Sequence, residues 1–292
     1  MDKQQKKWLK VLLQLVIAVF AIYFVLGKID VQAFKTILLE ANLLWLFVAL
    51  LLYNGSKILS AFRLNYFFRA LGLRLSEIFN LKLYYLGMLY NQFLPGGIGG
   101  DGYKVYLLNK QRGQSVKILL AATLLDRISG VVALGFLLCI LGLLGSLEQV
   151  LENWIYLLWA GIILIYPLYQ IVVKRFFPTF IKVNHVTNLQ ALGVQGLQVI
   201  CAYFILLAIG VEANYVDYLA LFLVTSVAAA LPISLPGGIG VREAIFAFGY
   251  TYFQIDQTSS VALATLFFLI SLVSALGGIP FLKLKSDGLT EN

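Results

Sequence analysis

Six apolar stretches, each long enough at about twenty residues to cross a bilayer as a helix, dominate this chain. They run Trp8–Leu26, Leu43–Leu64, Val116–Leu144, Trp154–Val173, Leu189–Ile209 and Ser259–Leu282. A soluble fold has no way to cover so much apolar surface. The composition agrees: 61% of the 292 residues are hydrophobic and 12% charged, against about 45–50% and about 25% in soluble domains. Disorder is excluded on the same ground. The expectation is an all-α polytopic membrane protein forming a single domain over residues 1–292. The first stretch follows Lys3, Lys6, Lys7 and Lys10. Its length and the want of a small-residue cleavage site make it a retained span and not a signal peptide.

Two further apolar stretches are each interrupted by Pro-Gly-Gly. Ile78–Leu94 leads into Gly96–Leu108, and Val216–Leu235 leads into Gly237–Phe253. The interruption is the same hexamer twice: Leu94-Pro95-Gly96-Gly97-Ile98-Gly99 recurs as Leu235-Pro236-Gly237-Gly238-Ile239-Gly240, 141 residues on. Pro95 and Pro236 remove a backbone donor and the glycines permit a tight turn. Such irregular backbone is tolerated at membrane depth only inside protein or beside a water-filled cavity. Each stretch therefore reads as a re-entrant helical hairpin. The segment Val31–Leu39, which carries Lys35, reads as a short interfacial helix.

Charge fixes the orientation. With the amino terminus in the cytoplasm, six crossings and two hairpins place seventeen of the 22 basic residues on the cytoplasmic side, Arg63 and Lys104 among them. Only Lys28 and Lys35 fall outside, and Lys57, Arg127 and Arg242 lie at membrane depth. Both termini are then cytoplasmic, and the expected location is the bacterial inner membrane. The same count opens the two hairpins to opposite sides. The halves, about residues 8–144 and 154–282, become inverted repeats, an architecture of transporters that places substrate near the midplane. The net charge of +8 is explained by this distribution, so no nucleic-acid partner is inferred.

Candidate chemistry gathers at the breaks. Gly99, Gly100 and Asp101 open one helix, with Lys104 a turn later. Gly240, Val241, Arg242 and Glu243 open its counterpart. Asp101 suits a helix amino terminus, either as a cap or as a site residue. Arg242 is disfavoured there without an anion, which could be Glu243, Asp101 or a bound phosphate. Glycine N–H groups beside an arginine form an anion cradle. No Lys-Ser/Thr follows to complete a nucleotide loop, so ATP is rejected. Asp126 and Arg127 lie inside the third crossing segment, where an ionised side chain costs roughly 2.5–3.5 kcal/mol. Neighbours on a helix do not face each other, so each needs a partner elsewhere in the bundle or a substrate. Cys139 and Cys201 sit in apolar runs as small buried hydrophobes, and His185, the only histidine, reads as a solvated loop residue. No metal or cofactor is expected.

The motifs Asn91-Gln92-Phe93-Leu94-Pro95 with Gly99-Gly100-Asp101, then Leu125-Asp126-Arg127-Ile128-Ser129-Gly130, then Leu231-Pro232-Ile233-Ser234 with Gly238-Ile239-Gly240-Val241-Arg242-Glu243, occur in that order. Together they resemble the lysylphosphatidylglycerol synthase transmembrane-region family, also called the flippase-like domain. The resemblance covers essentially the whole chain. It implies movement of lipids between leaflets: anionic or aminoacylated phospholipids, or isoprenoid-linked lipids. Lys104 stands where members of the family often carry arginine, and it supplies a point charge in place of a fork. Some members also carry a soluble aminoacyl-transferase domain, which is not expected here.

The leading expectation is thus a lipid flippase, with Asn91, Gly96, Gly97, Gly99, Gly100, Asp101, Lys104, Asp126, Arg127, Gly237, Gly238, Gly240, Arg242 and Glu243 at the head-group site. Pro95 and Pro236 mark its turns, no residue is assigned a catalytic role, and any drive comes from gradients or a partner. The alternative is the membrane part of a lipid-modifying transferase, or a scaffold for a partner enzyme that supplies the lipid. Against an enzyme stand the want of a nucleotide loop or metal cluster and loops of only about 15–20 residues. Cysteines placed through Lys174–Lys182 are expected to resist an impermeant thiol reagent added from outside. Strong labelling there would reject the orientation.

Overall fold

The structure, a computed structural model, describes residues 31–93, 99–146, 155–230, 245–246, 249, 252–253, 255–282 and 284. Among these residues the chain is helical, with no strand: α1 (Val31–Glu40), α2 (Leu43–Ala70), α3 (Glu77–Phe93), α4 (Gly99–Arg112), α5 (Val116–Leu144), α6 (Tyr156–Phe176), α7 (Asn184–Ala208), α8 (Tyr215–Ala230) and α9 (Gln257–Leu276). Five of them, α2, α5, α6, α7 and α9, are long and apolar enough to cross a membrane. These correspond to five of the six expected crossings. The sixth, Trp8–Leu26, lies outside the described residues.

Local chemistry sets the helix ends. Asn42 starts α2, its side-chain oxygen accepting from the N–H groups of Leu44 and Trp45. Gly72, at φ +80°, stops it: Gly72 N–H donates to Arg69 and Leu73 N–H to Phe68, which closes the last turn on its own carbonyls. Gly210, at φ +75°, ends α7 through the same pair of bonds, to Leu207 and Leu206. Helix α2 thus runs 28 residues, about 42 Å, longer than a hydrocarbon core of about 30 Å. At 17 and 14 residues, α3 and α4 reach only about 25 and 21 Å and do not span it.

Helices α3 and α4 are antiparallel. Asn91 bonds Gly100, Tyr90 stacks near Tyr103, and Lys104 lies over the Tyr84 ring. Their backbones touch at Gly87 and Gly100. A Cβ on Gly100 would lie 2.8 Å from Gly87 Cα and closer still to its carbonyl. Side-chain rotation offers no relief from such an overlap. Both turns expected to be re-entrant, Leu94–Ile98 and the segment around Pro236, fall outside the described residues, and so do Pro95, Gly96, Gly97, Gly237, Gly238, Gly240, Arg242 and Glu243.

The 141-residue offset of the hexamer also relates helix starts: Leu43 of α2 to Asn184 of α7, and Val116 of α5 to Gln257 of α9. Helices so related keep exchanged partners. α2 packs on its own counterpart α7. The pair α5 and α8 is matched by α9 and α3, α2 and α3 by α7 and α8, and α5 and α7 by α9 and α2. Two apolar clusters result. One joins α7, α8 and α9 with the first half of α2, around Phe222 and Phe267. The other joins α3, α4 and α5 with the second half of α2, around Phe67, Phe68 and Leu108. Leu51, Leu120, Leu124, Ile163, Leu168 and Val273 point outwards from spanning helices, as lipid contact requires.

Gly100→Ala should destabilise the purified protein by about 1–3 kcal/mol, the usual range for overpacking. Gly102→Ala, whose Cβ meets nothing within 4 Å, should leave thermal unfolding unchanged. Equal melting temperatures for the two variants would contradict the backbone contact.

Candidate functional site: an ion-lined cavity

Between the two apolar clusters lies a cavity of about 190 Å³ whose walls carry charge. Helix α2 contributes Arg63. From α3 come Tyr84, Met88 and Asn91, and from α4 Asp101 and Lys104. Helix α5 supplies Asp126, Arg127, Gly130, Val131 and Leu134, and α7 supplies Gln195.

Two carboxylates organise three cations. Asp126, 8% exposed, accepts from Arg63 Nε at 2.7 Å, and Arg63 is itself 5% exposed. Asp101 divides its oxygens: Oδ1 accepts from Lys104 Nζ at 3.0 Å and Oδ2 from Arg127 Nε. Lys104 is 4% exposed, and its ammonium also stands 4.5 Å from the centre of the Tyr84 ring. Three helices, α2, α4 and α5, are therefore joined through ions at a depth where each unpaired charge is costly. Asn91 supplies the α4 cap, accepting from Gly100 N–H at 2.8 Å. This leaves Asp101 to its cations.

Of the expected site residues, Asn91, Asp101, Lys104, Asp126 and Arg127 meet in this cavity. Gly99 and Gly100 form the first turn of α4 beneath it. Asp126 and Arg127 do find separate partners, on α2 and α4. Two of the basic residues expected at the cytoplasmic side, Arg63 and Lys104, are instead interior. Arg63 is drawn in because α2 continues as helix to Ala70, which carries its eighth-last residue within the bundle and opposite Asp126. Arg63, Tyr84 and Gln195 are polar lining residues that sequence reasoning missed. The available signal was a polar stripe at helical spacing within an apolar span: Ser56, Ser60 and Arg63 on α2, and Asn184, Asn188 and Gln195 on α7, all buried. His185 also differs from expectation. It is exposed in the first turn of α7 and not in a loop, with Nδ1 2.6 Å from Tyr166 Oη. Cys139 and Cys201 are unbridged, half-buried and buried.

The model of the lysylphosphatidylglycerol synthase TM region matches residues 11–278, which include every residue lining the cavity. The chain belongs to this family. Curated relatives are membrane proteins. The UPF0104 membrane protein PH1989 of Pyrococcus horikoshii is 23% identical, over 94% of this chain and 97% of its own. The UPF0104 membrane protein MJ1078 of Methanocaldococcus jannaschii is 24% identical, over 70% of this chain and 97% of its own. No solved structure matches. As a member of the family, the protein is a membrane protein whose matched region contains both the hexamer repeat and the ion network.

Breaking one side of the buried pair strands the other. Arg63→Gln or Asp126→Asn alone should destabilise the protein by about 3–5 kcal/mol. The double variant should recover most of that loss. Thermal unfolding of the three purified variants, with additive single effects as the contrary result, checks the pairing.

Proposed function

We propose that the protein transfers lipid head groups between membrane leaflets through the ion-lined cavity, while the acyl chains remain in the surrounding lipid. The single observation that carries this reading is the cavity itself: a space of about 190 Å³, walled by cations, carboxylates and amides, among helices long enough to cross a membrane. A bundle that needed only stability would fill such a space with apolar side chains, because buried ion pairs contribute little net stability. A head group in transit needs what these walls offer, namely charge partners that replace its water.

On this reading Asp101, Lys104, Asp126 and Arg127 meet the head group from one half of the chain. The glycines of the two Pro-Gly-Gly turns, with Arg242 and Glu243, approach it from the other. The hairpins are re-entrant and open to opposite faces, and both termini lie in the cytoplasm of a bacterial inner membrane. The substrate is an anionic or aminoacylated phospholipid or an isoprenoid-linked lipid, moved down its gradient or supplied by a partner enzyme. The residues lining the cavity favour transport over a transferase reaction. Among the described residues that line the space, Tyr84 carries the one hydroxyl, and no serine, cysteine or histidine is among them.

Reconstituted into proteoliposomes, the purified protein should equilibrate labelled phospholipids between leaflets much faster than protein-free vesicles do. Asp101→Asn should slow it at least tenfold. Flip rates equal to those of empty vesicles for every head group tried, or covalent change in the lipids by mass spectrometry, would reject the reading.

A further inference from the structure

We propose that a groove between α5, α6 and α7 binds one uncharged lipid of the monoacylglycerol class, a single chain with a hydroxyl-bearing head group. The proposal is independent of the transport reading, which concerns the ion-lined cavity.

The groove has a volume of about 520 Å³, within the range of roughly 300–1,000 Å³ that small-molecule sites occupy. Its walls are apolar: Val132, Ala133 and Phe136 come from α5, Ile162 and Ile165 from α6, and Leu192 from α7. Two rim residues, Ile163 and Leu189, are 64% and 71% exposed, and they stand on helices long and apolar enough to cross a membrane. The mouth therefore opens on lipid, and what enters it is a hydrocarbon chain. The volume suits a ligand of drug size, which a single-chain lipid is and a two-chain lipid is not.

One end of the groove is polar. There the Tyr166 hydroxyl meets His185 Nδ1 at 2.6 Å, and Asn188, a turn on from His185, also lines the space. With Tyr166 donating to Nδ1, the imidazole proton sits on Nε2, which is a donor. The acceptor comes from the backbone. Pro167 lies inside α6 and has no N–H, so the carbonyl of Ile163, four residues earlier, lacks the donor that a helix normally gives it. Both residues line the groove, and Ile163 is one turn from Tyr166. A polar group left unmet at membrane depth is costly. Lipid tails offer it nothing. A hydroxyl does, because it donates and accepts at once.

Charge selects the head group. No Asp, Glu, Lys or Arg is among the described residues that line the groove. A phosphate or an ammonium brought there would lose its water without gaining a counter-charge. A glycerol head group carries no charge, and its two hydroxyls match the donor and the acceptor at this end.

Thermal unfolding of the detergent-purified protein, with each lipid set by its mole fraction in the micelle, tests this. The probes are monooleoylglycerol, methyl oleate, which has the same chain and no hydroxyl, and oleoyl lysophosphatidylglycerol, which adds a charge. Monooleoylglycerol should raise the melting temperature of the wild type with increasing concentration, and about fivefold more of either other lipid should be needed for the same shift. Leu189→Trp covers the mouth from an exposed position and should weaken the monooleoylglycerol shift about tenfold. His185→Phe keeps a ring and loses Nε2, which should weaken it about fivefold. Pro167→Ala returns an N–H to the Ile163 carbonyl. It should melt higher than the wild type without lipid and respond about fivefold less to monooleoylglycerol. If one variant does not fold, the others decide. Wild-type shifts in the folded variants would overturn the proposal. So would equal shifts from methyl oleate or the lysolipid, or no shift from any probe, the result expected if another part of the chain fills the groove. Asp101→Asn, which should slow flipping, should leave the monooleoylglycerol shift unchanged, so failure here and failure of the transport reading are read separately.

Discussion

Everything near the cavity follows from placing two carboxylates at a depth where water is scarce. Asp101 and Asp126 are affordable there only with cations at hydrogen-bond distance, and those cations stand on different helices. Arg63 brings α2 to α5, and Arg127 brings α5 to α4. Apolar contact alone is indifferent to rotation about a helix axis, since lipid tails are as apolar as the neighbouring helix. The ion pairs remove that freedom. They set which face of each helix looks inwards, and the apolar clusters on either side pack around a geometry already chosen.

The exchange-related halves are alike in backbone and unlike in chemistry. Counterparts of the Arg63 and Asp126 positions, 141 residues later, are Phe204 and Phe267. There Phe267 meets Tyr53 and Phe222 edge-on, with ring centres 5.4 and 4.7 Å apart. One half thus spends its central positions on an ionic site and the other on an aromatic core. At the hexamers the asymmetry is sharper: the residue that corresponds to Asp101 is Arg242. Helix starts and packing partners thus correspond across the 141-residue offset while the side chains at these positions do not.

How far the sequence disclosed this depends on the scale. Long apolar runs are unambiguous, and the bounds of α5, Val116–Leu144, agree residue for residue with the sequence reading. The need of Asp126 and Arg127 for separate partners was legible too, because helix periodicity alone forbids them to face each other. The partner of Asp126 was not. Arg63 sits near the end of its apolar run, where a basic residue ordinarily marks the membrane surface, and only the Gly72 stop reveals how far the helix extends. Lys104 misled the charge count for a related reason: counting by position treats every lysine as hydrated, and this one is buried against Asp101 and Tyr84. Gln195 carried no charge to draw attention, and its side-chain bond goes to the backbone carbonyl of Gly130, 65 residues away, which no sequence pattern marks.

The glycine contact between α3 and α4 has a mechanical consequence. Where two backbones touch at Gly87 and Gly100, neither arm can slide or roll against the other without collision. Asp101 and Lys104 thus ride on a helix whose distance from α3 is set by backbone contact. The bond from Lys104 to Asp101 lies within α4, whereas the bond from Arg127 crosses from α5. A displacement of α4 against α5 would part the second pair and leave the first intact.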